Sequence, residues 1–178
     1  MLYMFLADGF EETEVIGCLD VIKRAGLDIK TVSIDKEFVC GAHGVVLKAD
    51  ALKEDVDFED MTGIILPGGM PGTTNLQKDE LVQKAVDFCE EKGLLMAAIC
   101  AAPMILGERG VLNGRNAVCY PGFEKHLIGA KVKTNWCVAH QNTITAKGAG
   151  ASMLFGASIV DYFKAGEGRK ILDLMQHS

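Results

Sequence analysis

The stretch that decides the fold is Gly93-Leu-Leu-Met-Ala-Ala-Ile-Cys-Ala-Ala-Pro103. Its apolar run, Leu94 to Ile99, opens after a glycine and has no polar alternation, the pattern of a strand buried on both faces of a parallel sheet. Cys100 ends the run. Pro103 follows shortly after, where a proline suits the first turn of a helix, whose amides lack intrahelical partners in any case. A short helix is expected over Ala101 to Arg109, so Cys100 falls in the sharp strand-to-helix turn, a nucleophile elbow. The positive end of a helix dipole favours thiolate over thiol there, and thiolate is the nucleophilic form. The competing reading is a buried structural cysteine, since free cysteines are among the most buried residues.

Outward from this centre, strands and helices alternate. Leu2 to Ala7 reads as a first strand, Asp8-Gly9-Phe10 as the turn after it, and Glu11 to Gly26 as a helix with acidic residues first and basic ones last. Asp28 to Ile34 returns as a second strand and completes a right-handed βαβ unit. Phe38 to Leu47 looks like two short strands about a glycine-containing turn. Gly63-Ile-Ile-Leu-Pro-Gly-Gly-Met-Pro-Gly72 is a buried strand running into a glycine-rich turn with free backbone amides, and Asp79 to Lys92 is a helix closed by Gly93. Beyond the centre, Asn116 to Cys119 is a short strand stopped by Tyr120-Pro121-Gly122. Lys131 to Thr145 holds further strand material with a turn near Gln141-Asn142. Gly148 to Lys164 is an apolar helix and Gly168 to Gln176 a shorter amphipathic one.

No linker, repeat or low-complexity segment divides the chain, so residues 1–178 are expected to form a single α/β domain: a mostly parallel central sheet covered on both faces. Ligands of such folds bind beyond the carboxyl ends of the strands. That rule places the turn after the first strand, Pro67-Gly68-Gly69 and Cys100 along one edge.

Composition narrows the class. A hydrophobic fraction of 49% and mean hydropathy of +0.19 are high for 178 residues, which suggests apolar surface shared with a second subunit. The net charge is −6 with no basic cluster, which argues against nucleic acid and anionic membrane as partners. The start, Met1 to Ala7, lacks a basic flank and is too short for a signal or a span, and reads as the first strand of a cytoplasmic protein. Six cysteines without a secretory signal do not read as a disulfide framework. Cys40/His43 and Cys137/His140 could supply four zinc ligands, but neither pair lies between the tight turns of a zinc ribbon, and no metal is expected. The chain has no Gly-x-Gly-x-x-Gly or Walker pattern, so no nucleotide cofactor is implied.

Nucleophilic cysteine chemistry needs a thiolate, a proton carrier and donors for an oxyanion. The amide of Ala101 and an amide of Gly68 or Gly69 are candidate donors. Glu11, Glu12 or Glu14 could carry the proton, although acidic residues in a first helical turn mostly serve the dipole, and the helical wheel does not choose between them. His43 and His140 lie in expected strand regions and could approach the site, while His126 lies in a polar loop and His177 near the terminus.

Glu11-Glu-Thr-Glu14 after the first strand, Leu66-Pro-Gly-Gly69 after a central strand and Ala98-Ile-Cys-Ala-Ala-Pro103 at the elbow together resemble the ThiJ/PfpI superfamily. The nearest branch looks like that of the Parkinson's-disease-associated deglycase and redox chaperone. The resemblance implies a flavodoxin-like three-layer sandwich that forms a homodimer. Carried over by motif, Cys100 is the nucleophilic, oxidation-sensitive cysteine, and Glu14 the carboxylic acid that hydrogen-bonds its sulfur. Gly69 and Ala101 supply the backbone amides around it. A protonated carboxyl beside a thiolate donates to the charged form and lowers the cysteine pKa. The implied activities are glutathione-independent conversion of methylglyoxal to lactate, deglycation and redox-dependent chaperoning, with a small carbonyl compound as substrate.

Three positions depart from relatives. Protease-like members carry histidine directly after the nucleophile and this chain has Ala101, which disfavours peptidase activity. An animal member has histidine where Tyr120 stands and an arginine near the position of His43. Both belong to the expected pocket, and their change bears on substrate preference and on the holding of an oxidised cysteine. Two other classes stay open: a redox sensor whose Cys100 is oxidised without turnover, and a binding domain with an inert core cysteine.

Overall fold

The computed structural model describes residues 1–177. Leu2–Leu6 (β1), Glu12–Arg24 (α1) and Ile29–Ser33 (β2) form the first βαβ unit. Phe38–Cys40 (β3) and Val46–Lys48 (β4) make a separate hairpin, and Ala51–Leu52 (β5) extends the main sheet. Gly63–Leu66 (β6), Gly72–Lys78 (α2), Glu80–Lys92 (α3), Leu95–Ile99 (β7) and Pro103–Glu108 (α4) follow. Asn116–Ala117 (β8) and Lys131–Val132 (β9) pair with each other. Cys137–His140 (β10), Thr143–Ala146 (β11), Ser152–Phe163 (α5) and Glu167–Leu174 (α6) complete the chain.

The main sheet has seven strands in the order β10-β11-β7-β6-β1-β2-β5, parallel except for β10 against β11. Its five central strands, β2-β1-β6-β7-β11, follow the flavodoxin-like order. Because successive side chains of a strand face opposite ways, the sheet divides the interior in two. Leu2, Met4, Leu6, Leu95, Ala97 and Ile99 pack against Val15, Cys18, Ile22, Phe155 and Val160 of α1 and α5. Tyr3, Phe5, Ile64, Leu66, Met96 and Ala98 pack against Leu76, Val82, Val86 and Ile105 of α2 to α4. Three layers result, as expected.

Several boundaries differ from expectation. Gly72–Lys78, of which the expected turn covers only Gly72, is helical: Thr73 N–H donates to Gly69 C=O (2.9 Å) and Asn75 N–H to Pro71 C=O (2.9 Å), bonds that outweigh the poor helix propensity of Gly72, Thr73 and Thr74. Ala101 and Ala102 belong to the turn before α4 rather than to the helix, and Pro103 opens it. The strand expected to reach Cys119 stops at Ala117. Among the described residues, no helix is long and apolar enough to cross a membrane.

After β1 the chain builds β2 on one side and later β6 on the other, so the sheet reverses direction between β1 and β6. The loops after β1, β6 and β7 diverge there and leave a crevice.

Candidate functional site

Cys100 occupies the turn between β7 and α4 with φ at 63°, a left-handed conformation rare for residues other than glycine. Two hydrogen bonds hold it there. Its N–H donates to Ala146 C=O (2.9 Å), continuing the β7–β11 ladder, and its C=O accepts from Tyr120 N–H (2.8 Å). The fold thus presents the sulfur at the carboxyl end of the sheet, half-buried.

Glu14 reaches the same point from the first turn of α1 and is only 1% exposed. The start of α1 is tied to the β6 turn, since Glu11 N–H donates to Gly68 C=O (3.0 Å). In return Gly68 N–H donates to Glu14 Oε2 (2.8 Å). The Glu14 carboxyl and the amides of Gly69 and Ala101 all reach the Cys100 sulfur. Both glycines are required here. A Cβ on Gly68 would stand 2.6 Å from the Cys100 Cβ, and Gly69 has φ of 88° with Glu11 N and Gly9 O where its Cβ would be.

Burial pushes the Glu14 carboxyl up to about 7, against the pull of the Gly68 amide and of Cys100. Its Oε1 is buried without a hydrogen-bond partner. A carboxylate there would leave one charged oxygen unsolvated, whereas a carboxylic acid that donates to sulfur satisfies it. The sequence-based expectation of a thiol lowered by the helix dipole is not met. Burial, then the negative charge of an ionised Glu14, push Cys100 up to about 12, and the amides of Ala101 and Gly69 oppose this without prevailing. The reason is structural: α4 spans only Pro103–Glu108, its flanking groups are buried, and the nearest ionisable neighbour is an acid. Near neutral pH the thiol therefore keeps its proton while the Glu14 carboxyl is the group that gains or loses one.

The structure brings Cys100, Glu14, Gly68, Gly69 and Ala101 together. Tyr120 joins through its backbone bond to Cys100, with its ring half in solvent. His43 is directed elsewhere: it is exposed, and its Nδ1 lies 2.8 Å from Glu12 Oε2 and 3.7 Å from Glu11 Oε2. Those carboxylates raise the His43 pKa, the Glu12 hydrogen bond most. Glu11, Glu12 and His43 place ligand atoms within 4.8 Å of one another, but Glu12 is already engaged by His43 and by the amides of His43 and Val45. The two Cys-x-x-His pairs do not form a common site: His140 Nδ1 accepts from Asn116 N–H (2.9 Å) and the Cys137 thiol donates to Ser158 Oγ (3.3 Å). Sequence reasoning did not single out Ala146 or Trp136. The first follows only from the β7–β11 register, and the second could have been found as the sole tryptophan just before a strand.

A flavodoxin-like sheet with a cysteine in the turn after a central strand, faced by a buried glutamate from the first helix, defines a narrow class of α/β proteins. Residues 1–162 match the DJ-1/PfpI family, and the chain belongs to that family. The chain is similar to DJ-1 homolog B of Arabidopsis thaliana, 33% identical over 159 residues covering 88% of this chain, although it spans only 36% of that relative's length. It is 31% identical to dj-1beta of Drosophila melanogaster over 161 residues, covering 89% of this chain and 86% of the relative. A deglycase of Pyrococcus abyssi is 32% identical over 129 residues, 71% of this chain and 75% of the relative. Among solved structures, oxidised DJ-1 of Toxoplasma gondii superposes with a TM-score of 0.94 at 28% identity, covering 99% of this chain and 98% of that one.

Proposed function

We propose that this protein is a cysteine-dependent enzyme that processes small α-oxoaldehydes without glutathione, in the manner of a glyoxalase or deglycase. The observation that carries the reading is a buried carboxyl poised at about 7 in contact with a half-buried thiol. A general acid–base works best with its pKa near the operating pH, and Glu14 meets that condition because it is buried.

The groups at the site support the following course of reaction. As the Cys100 sulfur attacks the aldehyde carbon, the thiol proton passes to Glu14 and the carbonyl oxygen develops negative charge. The amides of Gly69 and Ala101 are the donors available to that oxygen. Glu14 hands that proton to the oxygen, which gives a hemithioacetal and restores the carboxylate. Glu14 then removes the proton from the former aldehyde carbon and an enediol forms. Return of a proton to the neighbouring carbon leaves a thioester on Cys100, and water releases the hydroxy acid and the thiol. One water is consumed and no redox partner is required. The expected substrate is a small carbonyl compound, and no cofactor enters any step. Deglycase-named relatives of about 30% identity support the same class of chemistry.

A second reading is favoured by the same amides, which would hold the oxygens of a Cys100 sulfinate. In it the protein senses peroxide, or acts as a chaperone under redox control, and turns nothing over. Lactate formation from methylglyoxal without glutathione separates the two. Turnover by the wild-type chain that is lost in Cys100→Ala is expected. Absence of turnover together with selective oxidation of Cys100 by mild peroxide, read by mass spectrometry, would replace the first reading with the second.

A further inference from the structure

Two aromatic side chains that the reaction above does not use stand in solvent on segments that backbone hydrogen bonds join to the Cys100 turn. Tyr120 is 50% exposed and Trp136, the only tryptophan, 61%. Both rest on the turn that follows β11. The Tyr120 ring lies 3.2 Å from where a Cβ on Gly148 would be, and the Trp136 ring 3.5 Å from a Cβ on Gly150. Any larger residue at Gly148 would crowd the Tyr120 ring, so the turn has the shape of a bed for flat groups.

This turn is continuous with the site. Ala146, the last residue of β11, accepts the Cys100 N–H, and Tyr120 donates its N–H to the Cys100 carbonyl. Lys147 N–H donates to Trp136 C=O (2.9 Å), which fixes Trp136 to the same turn. The Lys147 ammonium sits 5.7 Å over the indole centroid and has no carboxylate partner among the described residues. Neither the Tyr120 hydroxyl nor the Trp136 indole N–H is hydrogen-bonded within the protein among those residues, so apart from Lys147 over the indole no polar group fixes either ring. Single exposed apolar residues need no explanation, but two large aromatic ones on one turn beside a reactive sulfur do.

We propose that Tyr120 and Trp136 form an aromatic rim that receives a flat aryl substituent on the carbonyl compound attacked by Cys100. This rests on the reading of Cys100 as a nucleophile toward carbonyl compounds and adds to it a substrate class, the aryl α-oxoaldehydes. Offset stacking of an aryl group on such a rim corresponds to about a three- to tenfold preference over a methyl group.

The test compares alkylation of Cys100 in the full chain by phenacyl bromide and by bromoacetone, which differ only in phenyl against methyl. Each rate ratio is taken relative to that of N-acetylcysteine. The wild-type ratio is expected to exceed the free-thiol ratio several-fold, to fall to it in Trp136→Ala and to persist in Trp136→Phe. Tyr120→Ala is expected to lower the ratio as well. The phenacyl adduct should quench Trp136 emission and the acetonyl adduct should not. A ratio indifferent to Trp136→Ala overturns the proposal. So does Trp136 emission that depends on protein concentration and not on the adduct, which would mean that a second copy covers the rim. Methylglyoxal turnover without an aryl preference would reject the rim and keep the enzyme; the preference without turnover would keep the rim and reject the enzyme. Failure of both reagents to modify Cys100 in the folded chain overturns both.

Discussion

A methyl group on Gly68 would stand 2.6 Å from the Cβ of Cys100 and 2.7 Å from Oε2 of Glu14, so Gly68→Ala must displace one of the two groups whose contact defines the site. The expected cost is about 1–3 kcal/mol of stability, as for other overpacked interiors. Alkylation of Cys100 should slow with it, and rates with iodoacetamide at neutral pH check this. Glu14 yields a prediction with a definite sign. Its pKa is about 7 when folded against 4.5 for the unperturbed group, so between those values the folded state binds more protons. This contribution is therefore full below about 4.5, and stability falls as pH rises to about 7, by on the order of 3 kcal/mol. Glu14→Gln keeps the shape and removes the ionisation. Its urea midpoint should gain on the wild type from pH 5 to pH 8, and a constant difference would show that Glu14 does not titrate in that window. The variant mimics the protonated acid at every pH, so its Cys100 should also alkylate faster than wild type at pH 9, where an ionised Glu14 repels the thiolate. Which acid faces the sulfur was not readable from α1 alone. The choice among Glu11, Glu12 and Glu14 depends on Gly68, 54 residues away, and only the family resemblance pointed to Glu14.

Among the elements, α3 shows how a boundary residue acts apart from the chemistry. Asp79 caps it by accepting from Leu81 N–H (2.9 Å) and Val82 N–H (3.1 Å), and it also pairs with Lys53 at 3.0 Å. Asp79→Ala should lower stability by about 1 kcal/mol in urea titration and leave Cys100 alkylation unchanged. The strands that carry the site were legible because each of β1, β6 and β7 is a continuous apolar run, with every residue buried. The short strand β5 was not, because two residues have no period to read and this strand exists only through its pairing with β2. Helix α2 was hidden for the opposite reason: its Gly-Thr-Thr start reads locally as turn, and its Leu76 is committed to the core by the fold.

For the whole molecule, the β3–β4 hairpin exposes Phe38, Val45 and Val46 together. We expect the chain to form a homodimer through that hairpin and the adjoining face of α1, which exposes Ile16. Val46→Glu should convert the dimer to a folded monomer in sedimentation velocity; a wild-type chain that sediments as a monomer at all concentrations would remove the dimer. The layered α/β class and the sheet edge that carries Cys100 both followed from the alternation of strands and helices. The engagement of His43 by Glu12 did not, because the two lie 31 residues apart. The left-handed turn at Cys100 has one further consequence. Glycine would occupy φ of 63° without strain, so Cys100→Gly should be more stable than Cys100→Ala by about 1 kcal/mol. The strain at this turn falls on any side chain placed there, so the fold holds its thiol at position 100 against a backbone preference that glycine alone would meet freely.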